Sequence, residues 1–260
     1  MPVLKIITIN TWKAESDYDA RIMHLTKALY DLKPDLILLQ ECFEAPLIDR
    51  DTIRVINSNL NYHLDFIQAR EKIREFDDTA IQSFSSMGIL SRLPIINSYH
   101  YPLPLAQGDE MRFGQEIEIL LENGKTGIFT NVHLTHINTK DAIRFEQIKT
   151  ITERIKVNQD KLQIIGGDFN CTILSTEIQY LMKEANLIES FSFLYPDKPH
   201  ITLVDYYKKQ VELGVDFLFV CNKVKKVHIQ EAGSCLQEPI DIPYGYCSDH
   251  FGMSLTIQYA

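Results

Sequence analysis

The sequence contains few cysteines, and none of them is placed to cross-link the chain. The five cysteines are odd in number, and none forms a Cys-x-x-Cys pair or the ligand spacing of a zinc site. This pattern argues against a disulfide framework or a structural zinc site. We therefore expect a reducing compartment, namely the cytoplasm.

Long apolar runs are also missing. No apolar stretch is long enough to cross a bilayer, so we expect no transmembrane segment. The amino terminus enters a strand-like run directly, without the basic and apolar regions of a signal peptide. We therefore expect a globular protein of the cytoplasm with no inserted segment.

The sequence has no excess of positive charge. Its formal net charge is −9, whereas proteins that hold long duplex nucleic acid without sequence preference rely on Lys and Arg. We expect weak binding to duplexes and leave nucleic acid open as a partner. Two lysine clusters are interpreted as solvated strand edges and not as a nucleic-acid groove: Lys208 and Lys209, and Lys223, Lys225 and Lys226.

Strand-like and helix-like segments alternate along the chain without a linker, a repeat or a low-complexity tract. The 260 residues are 45% hydrophobic, and we expect one domain, residues 1–260, that acts as a monomer. Apolar spacing predicts helices at 19–32, 50–60, 139–157 and 174–185. Strands are predicted at 3–9, 35–40, 62–67, 87–91, 95–100, 114–121, 126–132, 162–166, 201–205, 215–221, 224–230 and 252–258, while 68–80 has no clear form. So many strands with about four helices suggest two packed sheets covered by helices.

One predicted strand ends in an unusual way, in the sequence GGDFN at 166–170. Asp168 and Asn170 are two residues apart, so on extended chain their side chains point to the same side. Gly166 and Gly167 permit a sharp turn and the close approach of another group. Taken alone, the same residues are ordinary turn formers.

Other predicted strands end in similar chemistry. Apolar segments lead to Asn10, Glu41 and His133, and Asp249 with His250 stands just before the last strand. Carboxylate and amide oxygens suit Mg²⁺ or Mn²⁺, while His and Asn can donate hydrogen bonds to phosphoryl oxygens. The strand ends together therefore predict a site for a hard cation and a phosphate.

The ordered set of motifs resembles the endonuclease/exonuclease/phosphatase superfamily. The matching segments are TINTW, LILLQE, SMGILSRLP, NVHL, GGDFN, GVDFLFV and SDHFG, in the family's order and over nearly the whole chain. The resemblance implies an α/β fold, a four-layered α/β sandwich with two mixed β-sheets packed face to face and helices outside. It also implies a site at one end of the sandwich that cleaves a phosphoester with a divalent metal.

The resemblance also assigns roles to metal ligands. Glu41 would be the principal ligand of Mg²⁺ or Mn²⁺. Asn10 would support the metal or a phosphate oxygen, and Asp249 would add negative charge to the metal site.

Five further residues would carry the catalysis by the same resemblance. Asp168 would orient and help deprotonate the attacking water, and Asn170 would hold a phosphoryl oxygen. His250 would contact the scissile phosphate while Asp216 fixes its ring, as a catalytic imidazole requires. His133 would be a second imidazole at the phosphate.

The substrate is less clearly indicated. His133 stands where the apurinic-site endonuclease branch usually has tyrosine, and so resembles the branch that contains pancreatic-type deoxyribonucleases, neutral sphingomyelinases, deadenylases and inositol-phosphate phosphatases. We favour a small or lipid-head-group phosphodiester. The alternative is a nuclease acting on DNA or RNA, and a third hypothesis is a non-catalytic binding or scaffold member of the same fold.

A few residues near the motifs are interpreted as structural. Arg92 and Arg112 are expected to form ion pairs and not to clamp substrate. Cys171 is interpreted as a small filler and not as a nucleophile.

Overall fold

The computed structural model describes residues 1–76, 78–105, 107–137, 142–158, 160–204, 213–221, 227–243 and 245–260. The helices are α1 Tyr18–Leu32, α2 Thr52–Leu60, α3 Ile143–Lys156, α4 Thr176–Ala185 and α5 Ser190–Leu194, with a 3-10 turn at Pro46–Ile48. The strands are β1 Val3–Asn10, β2 Leu36–Ala45, β3 Arg50–Asp51, β4 His63–Phe76, β5 Thr79–Ser91, β6 Ile95–Pro102, β7 Phe113–Leu120, β8 Thr126–His133, β9 Leu162–Asp168, β10 Leu187–Glu189, β11 Asp216–Cys221, β12 Val227–Cys235 and β13 Gly252–Tyr259.

The described strands form two sheets. The first has the order β12-β13-β1-β2-β5-β4, with β3 paired to β2, and the second has the order β10-β11-β9-β8-β7-β6. One pair in each sheet is parallel, β1 with β2 and β8 with β9, and the others are antiparallel. Both sheets are therefore mixed, as the resemblance implied.

Apolar side chains on the two faces of β2 show how the layers stack. Leu36 and Leu38 join a core between the two sheets, whereas Ile37 and Leu39 face a second core under α1 and α2. A third core lies between the other sheet and helices α3 and α4. Burial on both faces explains why this strand is an unbroken apolar run. The predicted four-layered α/β sandwich is confirmed.

Polar side chains also bridge the two sheets. The amide nitrogen of Gln40 donates to Oδ1 of Asn131 at 2.7 Å, and the Asn131 amide donates to the carbonyl of Leu39 at 2.9 Å. Buried amides are costly unless they are hydrogen-bonded, so these bonds fix how the sheets sit on one another. Gln40 precedes Glu41, and Asn131 lies two residues before His133.

The segment 68–80, which had no clear form in the sequence, is the outer part of a long hairpin. Strands β4 and β5 continue through it and pair from His63↔Ser91 to Phe76↔Thr79. In this segment β4 carries many charged residues and lacks the regular apolar alternation of a half-buried strand. Arg70, Lys72 and Arg74 alternate along β4 and therefore share one face of it.

The strand predicted at 35–40 was expected to end at Glu41, but β2 continues through Glu41 to Ala45, because its pairing with β5 resumes at Cys42 after a register shift. In place of a strand at 201–205, the described residues contain a single bridge between Leu203 and His250. The short elements β3, β10 and α5 were not predicted. The two lysine clusters at 208–209 and 223–226 lie outside the described residues.

None of the helices in the described part of the chain combines the length and apolar character needed to span a membrane. The expected single domain, monomeric state and cytoplasmic location stay predictions.

Candidate active site

Strand pairing brings the predicted site residues to one end of the sandwich. His133 at the end of β8 is in register with Asp168 at the end of β9, and Asp168 is in register with Asp216 at the start of β11. In the facing sheet, Asn10 at the end of β1 is in register with Gln40, next to Glu41. Side chains in register across neighbouring strands lie on the same face and within reach of one another.

The two glycines of GGDFN lie where neighbouring atoms leave no room for a side chain. A Cβ on Gly167, whose φ is 138°, would lie 2.0 Å from the carbonyl oxygen of Val132. A Cβ on Gly166 would lie 2.5 Å from the Leu218 side chain and 2.9 Å from that of Leu38, across the sheet interface. Glycine at both positions thus lets β9 end tightly against β8 and under the facing sheet.

Asp168 is the centre of the site. Its Oδ2 accepts a hydrogen bond from the Asn10 amide at 3.0 Å, and lies 3.5 Å from Nε2 of His133 and 3.9 Å from Nε2 of His250. Its Oδ1 accepts from the backbone N–H of Asn170 at 2.9 Å. Burial raises the pKa of Asp168, and the Asp216 carboxylate adds to this against the opposing effect of His250. A carboxylate with a raised pKa can take a proton from water at neutral pH.

His250 is held by Asp216. Nδ1 of the ring lies 2.8 Å from Oδ2 of Asp216, and both side chains are buried. Burial by itself lowers the pKa of His250, but Asp216, Asp168 and Asp249 raise it well above its usual value. The ring is therefore protonated at neutral pH.

His133, in contrast, is held in its neutral form. Burial, with the nearby cations of Arg112, Arg70 and Lys13, lowers the pKa of His133 well below its usual value. The site thus presents one neutral and one charged imidazole beside the same carboxylate. Neighbouring groups whose pKa values are pushed apart are the usual signature of separate catalytic roles.

Both carboxylate oxygens of Glu41 are paired with cations. Oε2 lies 2.8 Å from Nζ of Lys13, and Oε1 lies 2.6 Å from Nη2 of Arg70. Burial alone raises the pKa of Glu41, but Lys13 and Arg70 outweigh it and lower that pKa to about 2. The left-handed backbone of Glu41, with φ of 52°, coincides with an irregular register between β2 and β5. Such bulges redirect a side chain at a functional site.

Two further carboxylates of the site have raised pKa values. Burial and the neighbouring Glu41 carboxylate, against the opposing effect of His250, raise the pKa of the half-buried Asp249 to about 6. Asp168 shows a raised pKa as well. A divalent cation would favour the ionised form of these carboxyl groups, and the oxygen donors of Asn10, Glu41 and Asp249 suit a hard one.

A second group of possible metal ligands lies nearby. Single ligand atoms of Asp168, Asp216 and His250 lie within 4.8 Å of one another. Nδ1 of His250 is already hydrogen-bonded to Asp216. We therefore interpret these three residues as groups that exchange protons, and not as ligands of a metal.

Three residues of the site were missed in the sequence. Lys13 and Arg70 contact Glu41, and the Ser248 hydroxyl donates to the carbonyl of Asn10 at 2.6 Å while it accepts from the backbone N–H of His250 at 3.1 Å. For these three residues the sequence offers one signal: Arg70, Lys72 and Arg74 alternate, which is typical of cations on one face of a strand.

The remaining interpretations concern residues beside the site. Arg92 pairs with Asp35, and Arg112 pairs with Asp109, as expected of structural ion pairs. Burial raises the pKa of the Cys171 thiol to about 11, which leaves it protonated and unreactive at neutral pH.

Comparison with known proteins agrees with this geometry. The model of the Endonuclease/Exonuclease/phosphatase family matches residues 7–250. The chain belongs to this family. Members of the family are generally phosphoesterases or nucleases, and its enzymes generally use divalent metals.

Solved structures show the same fold at low identity. A family protein from Leptotrichia buccalis is 20% identical with a TM-score of 0.73, the match covering 98% of this chain and 100% of that one. D. rerio TDP2 complexed with single strand DNA product is 18% identical with a TM-score of 0.74, covering 99% and 100%. The human Nocturnin catalytic domain with bound sulfate is 16% identical with a TM-score of 0.75, covering 100% and 95%. Comparison with curated protein sequences finds no match.

Proposed function

We propose that this member of the family is a divalent-metal-dependent hydrolase that cleaves a phosphodiester or phosphomonoester with an activated water. The observation that carries the proposal is the position of Asp168, whose Oδ2 lies 3.5 Å from the neutral His133 and 3.9 Å from the charged His250. One carboxylate and two imidazoles of unlike charge can accept and donate protons at a single phosphorus centre.

Glu41, with Asn10 and Asp249, would hold Mg²⁺ or Mn²⁺. When bound, the metal would supply positive charge to a phosphoryl oxygen and lower the barrier to attack. The ionised state of Glu41 at neutral pH supports this role.

Asp168 would orient the attacking water and take its proton. The Asn170 backbone holds Oδ1 of Asp168 at 2.9 Å, and the Asn170 amide donates to the carbonyl of Leu134 at 2.9 Å. This second bond keeps the Asn170 amide at the strand ends, where it would donate its other proton to a phosphoryl oxygen.

The two histidines would act on the phosphate oxygens. His250, protonated and held by Asp216, would stabilise the developing charge and protonate the leaving oxygen. His133, neutral at the same pH, would donate a hydrogen bond. A general acid of this kind contributes about 10²–10⁴-fold to the rate.

Two other functions stay candidates. A nuclease acting on DNA or RNA is favoured by one observation, the match to a TDP2 structure that contains single strand DNA product. The net charge of −9 weighs against long duplexes and leads us to prefer a small or lipid-head-group phosphodiester. A non-catalytic scaffold is less favoured, because every expected catalytic position holds a competent side chain.

Hydrolysis of bis-p-nitrophenyl phosphate tests the proposal. The protein should release nitrophenol with Mg²⁺ or Mn²⁺, while Asp168→Asn, matched in size and without the charge, should be at least about a hundredfold slower. Equal rates for the two proteins would contradict the assignment of Asp168. A metal-supplemented panel of single-stranded DNA, RNA, abasic duplex, sphingomyelin and inositol phosphates then identifies the substrate.

We also propose a monomeric, single-domain protein of the cytoplasm. The cysteines at 42, 171, 221, 235 and 247 form no disulfide in the described part of the chain, which supports a reducing location. Light scattering at micromolar concentration tests the monomer.

A further inference from the structure

The ammonium of Lys13 lies where it neutralises Glu41. It is 2.8 Å from Oε2 of that carboxylate, and the guanidinium of Arg70 is 2.6 Å from the other oxygen. A divalent cation bound to Glu41 would stand next to both groups and repel them. Release of one of the two cations would relieve this repulsion when a metal binds.

Lys13 is free to move its side chain but not its backbone. Its backbone N–H donates to the carbonyl of Glu41 at 3.0 Å, and its own carbonyl accepts from Arg21 at 3.1 Å. Buried Arg21 also donates to the carbonyls of Thr11 and Glu15, so the whole loop is held. The ammonium, on a four-carbon stem, can change position by bond rotation alone.

Arg70 is the more firmly held of the two cations. Its side chain is 5% exposed, whereas that of Lys13 is 26% exposed. Arg70 lies on β4, paired with Ser85 of β5, and moving its guanidinium would leave a charge buried without a partner. Lys13 is therefore the more easily released of the two.

A cleft beside Lys13 can receive the released ammonium. It has a volume of about 320 Å³ and lies between the loop after β1 and the β4–β5 hairpin. Lys72 and Arg74 line it together with Lys13, and the acidic residues there are Glu15 and Glu75. Arg74 is oriented by bonds to the hydroxyls of Ser83 and Ser85 at 2.7 and 2.6 Å. With the Lys13 ammonium turned into it, the cleft would hold three cations and two carboxylates and would favour the binding of an anion.

We propose that Lys13 is a substrate-binding residue that the metal releases. In the metal-free protein its ammonium neutralises Glu41; when a divalent cation takes that carboxylate, the ammonium turns into the cleft and, beside Arg74, binds an anionic oxygen of the phosphoester. The inference rests on the proposed function and names Lys13 as a residue of the same site that contacts substrate only after metal has bound.

The first test measures metal binding without turnover. Lys13→Met keeps the aliphatic stem and removes the competing charge, so Mn²⁺ followed by electron paramagnetic resonance should bind about tenfold tighter than in the unaltered protein. Lys72→Met, in the same cleft but paired with Glu110, is the matched control and should bind Mn²⁺ as the unaltered protein does. Equal or weaker binding by Lys13→Met would overturn the proposal.

The second test measures substrate binding at saturating Mn²⁺. Lys13→Met should raise KM for bis-p-nitrophenyl phosphate about tenfold, the value of one charge-assisted hydrogen bond, with kcat little changed. Lys13→Arg should restore most of the lost affinity. An unchanged KM, or a loss confined to kcat, would overturn the proposal even if Mn²⁺ bound more tightly.

The outcomes separate this inference from the proposed function. An unaltered protein that binds no Mn²⁺ and hydrolyses none of the esters contradicts the function itself. An active, metal-dependent protein whose Lys13 variants behave like the parent contradicts only the role of Lys13. Lys13→Gln, checked by circular dichroism, replaces Lys13→Met if the latter does not fold.

Discussion

Nδ1 of His250 lies 2.8 Å from Oδ2 of Asp216, although 34 residues separate them in the sequence. Asp216 opens β11, and His250 stands just before β13 in the other sheet. The pair therefore joins the two sheets at the site and holds the charged imidazole towards Asp168.

Loss of either member of this pair should disable the same function. We expect His250→Ala and Asp216→Asn each to lower kcat by about a hundredfold or more. The first change removes the imidazole, and the second removes the carboxylate that orients the imidazole and keeps it protonated. The double variant should cost little beyond the worse single one, since residues that act as a unit are not additive. Steady-state kinetics on variants that circular dichroism shows to be folded checks this. Losses that multiply would mean that the two residues work independently.

Activity should depend on a divalent metal held by Glu41. Excess chelator should abolish hydrolysis. Glu41→Gln keeps the shape of the side chain and removes its charge, and we expect metal affinity to fall at least about tenfold, since even partners behind the ligands affect affinity by about 10–100-fold. Rates measured across a Mg²⁺ titration should show partial rescue at high metal. Full activity in chelator would contradict the metal requirement.

Gly167 should be intolerant of any side chain. A Cβ there would lie 2.0 Å from the Val132 carbonyl oxygen at a φ of 138°, so we expect Gly167→Ala to lower the free energy of unfolding by at least about 2 kcal/mol. A Cβ on Gly233, in β12, would meet no atom within 4 Å beyond its chain neighbours, and Gly233→Ala should range from neutral to about 1 kcal/mol more stable. Urea denaturation of both variants makes the comparison. Equal effects would mean that β9 does not pack against β8 as described.

The Asp109–Arg112 pair should contribute to stability against acid. Burial by itself raises the pKa of Asp109, but hydrogen bonds from Arg112 and Thr135 outweigh it and lower that pKa below its usual 3.8. A group with a lowered pKa in the folded state adds stability that is present above its unfolded pKa and is lost as the pH falls through the folded one. Asp109→Asn should therefore cost about 2 kcal/mol at pH 7 and progressively less below about pH 4. Thermal unfolding of both proteins from pH 7 to pH 2.5 measures this difference in stability. A difference that grows as the pH falls would contradict the prediction.

Binding to plain duplex DNA should be weak. In a protein of net charge −9 the 35 acidic residues outnumber the 26 Lys and Arg and repel a duplex, and the affinity that remains should fall with added salt. Fluorescence anisotropy at two salt concentrations measures this, with a single strand of the same length as the comparison. A nanomolar, salt-sensitive affinity for duplex would replace our substrate preference with the nuclease alternative.

Much of the fold could be predicted because its signals are local. The run Leu36–Leu39 and the helical spacing of Ile22, Leu25 and Leu29 are set by neighbours along the chain, and both elements formed as expected. The hairpin at 63–91 could not be predicted in full, because its outer part is stabilised by pairing between strands and by contacts such as Arg70 with Glu41.

By itself, the sequence determined which groups stand at the strand ends, since the apolar runs and the motifs that end them are contiguous. Asp168 ends its strand and His250 precedes the last one, as the sequence indicated, whereas Glu41 lies inside β2, at its irregular register with β5. Tertiary structure alone decided the charge of each group and its partner. His133 is neutral and His250 protonated because burial and charges from distant segments act on each ring differently, and Glu41 is paired because folding brings Lys13 and Arg70 to it. Electrostatic energy depends on distance in space and on exposure to water, and neither is encoded in the spacing of residues along a chain.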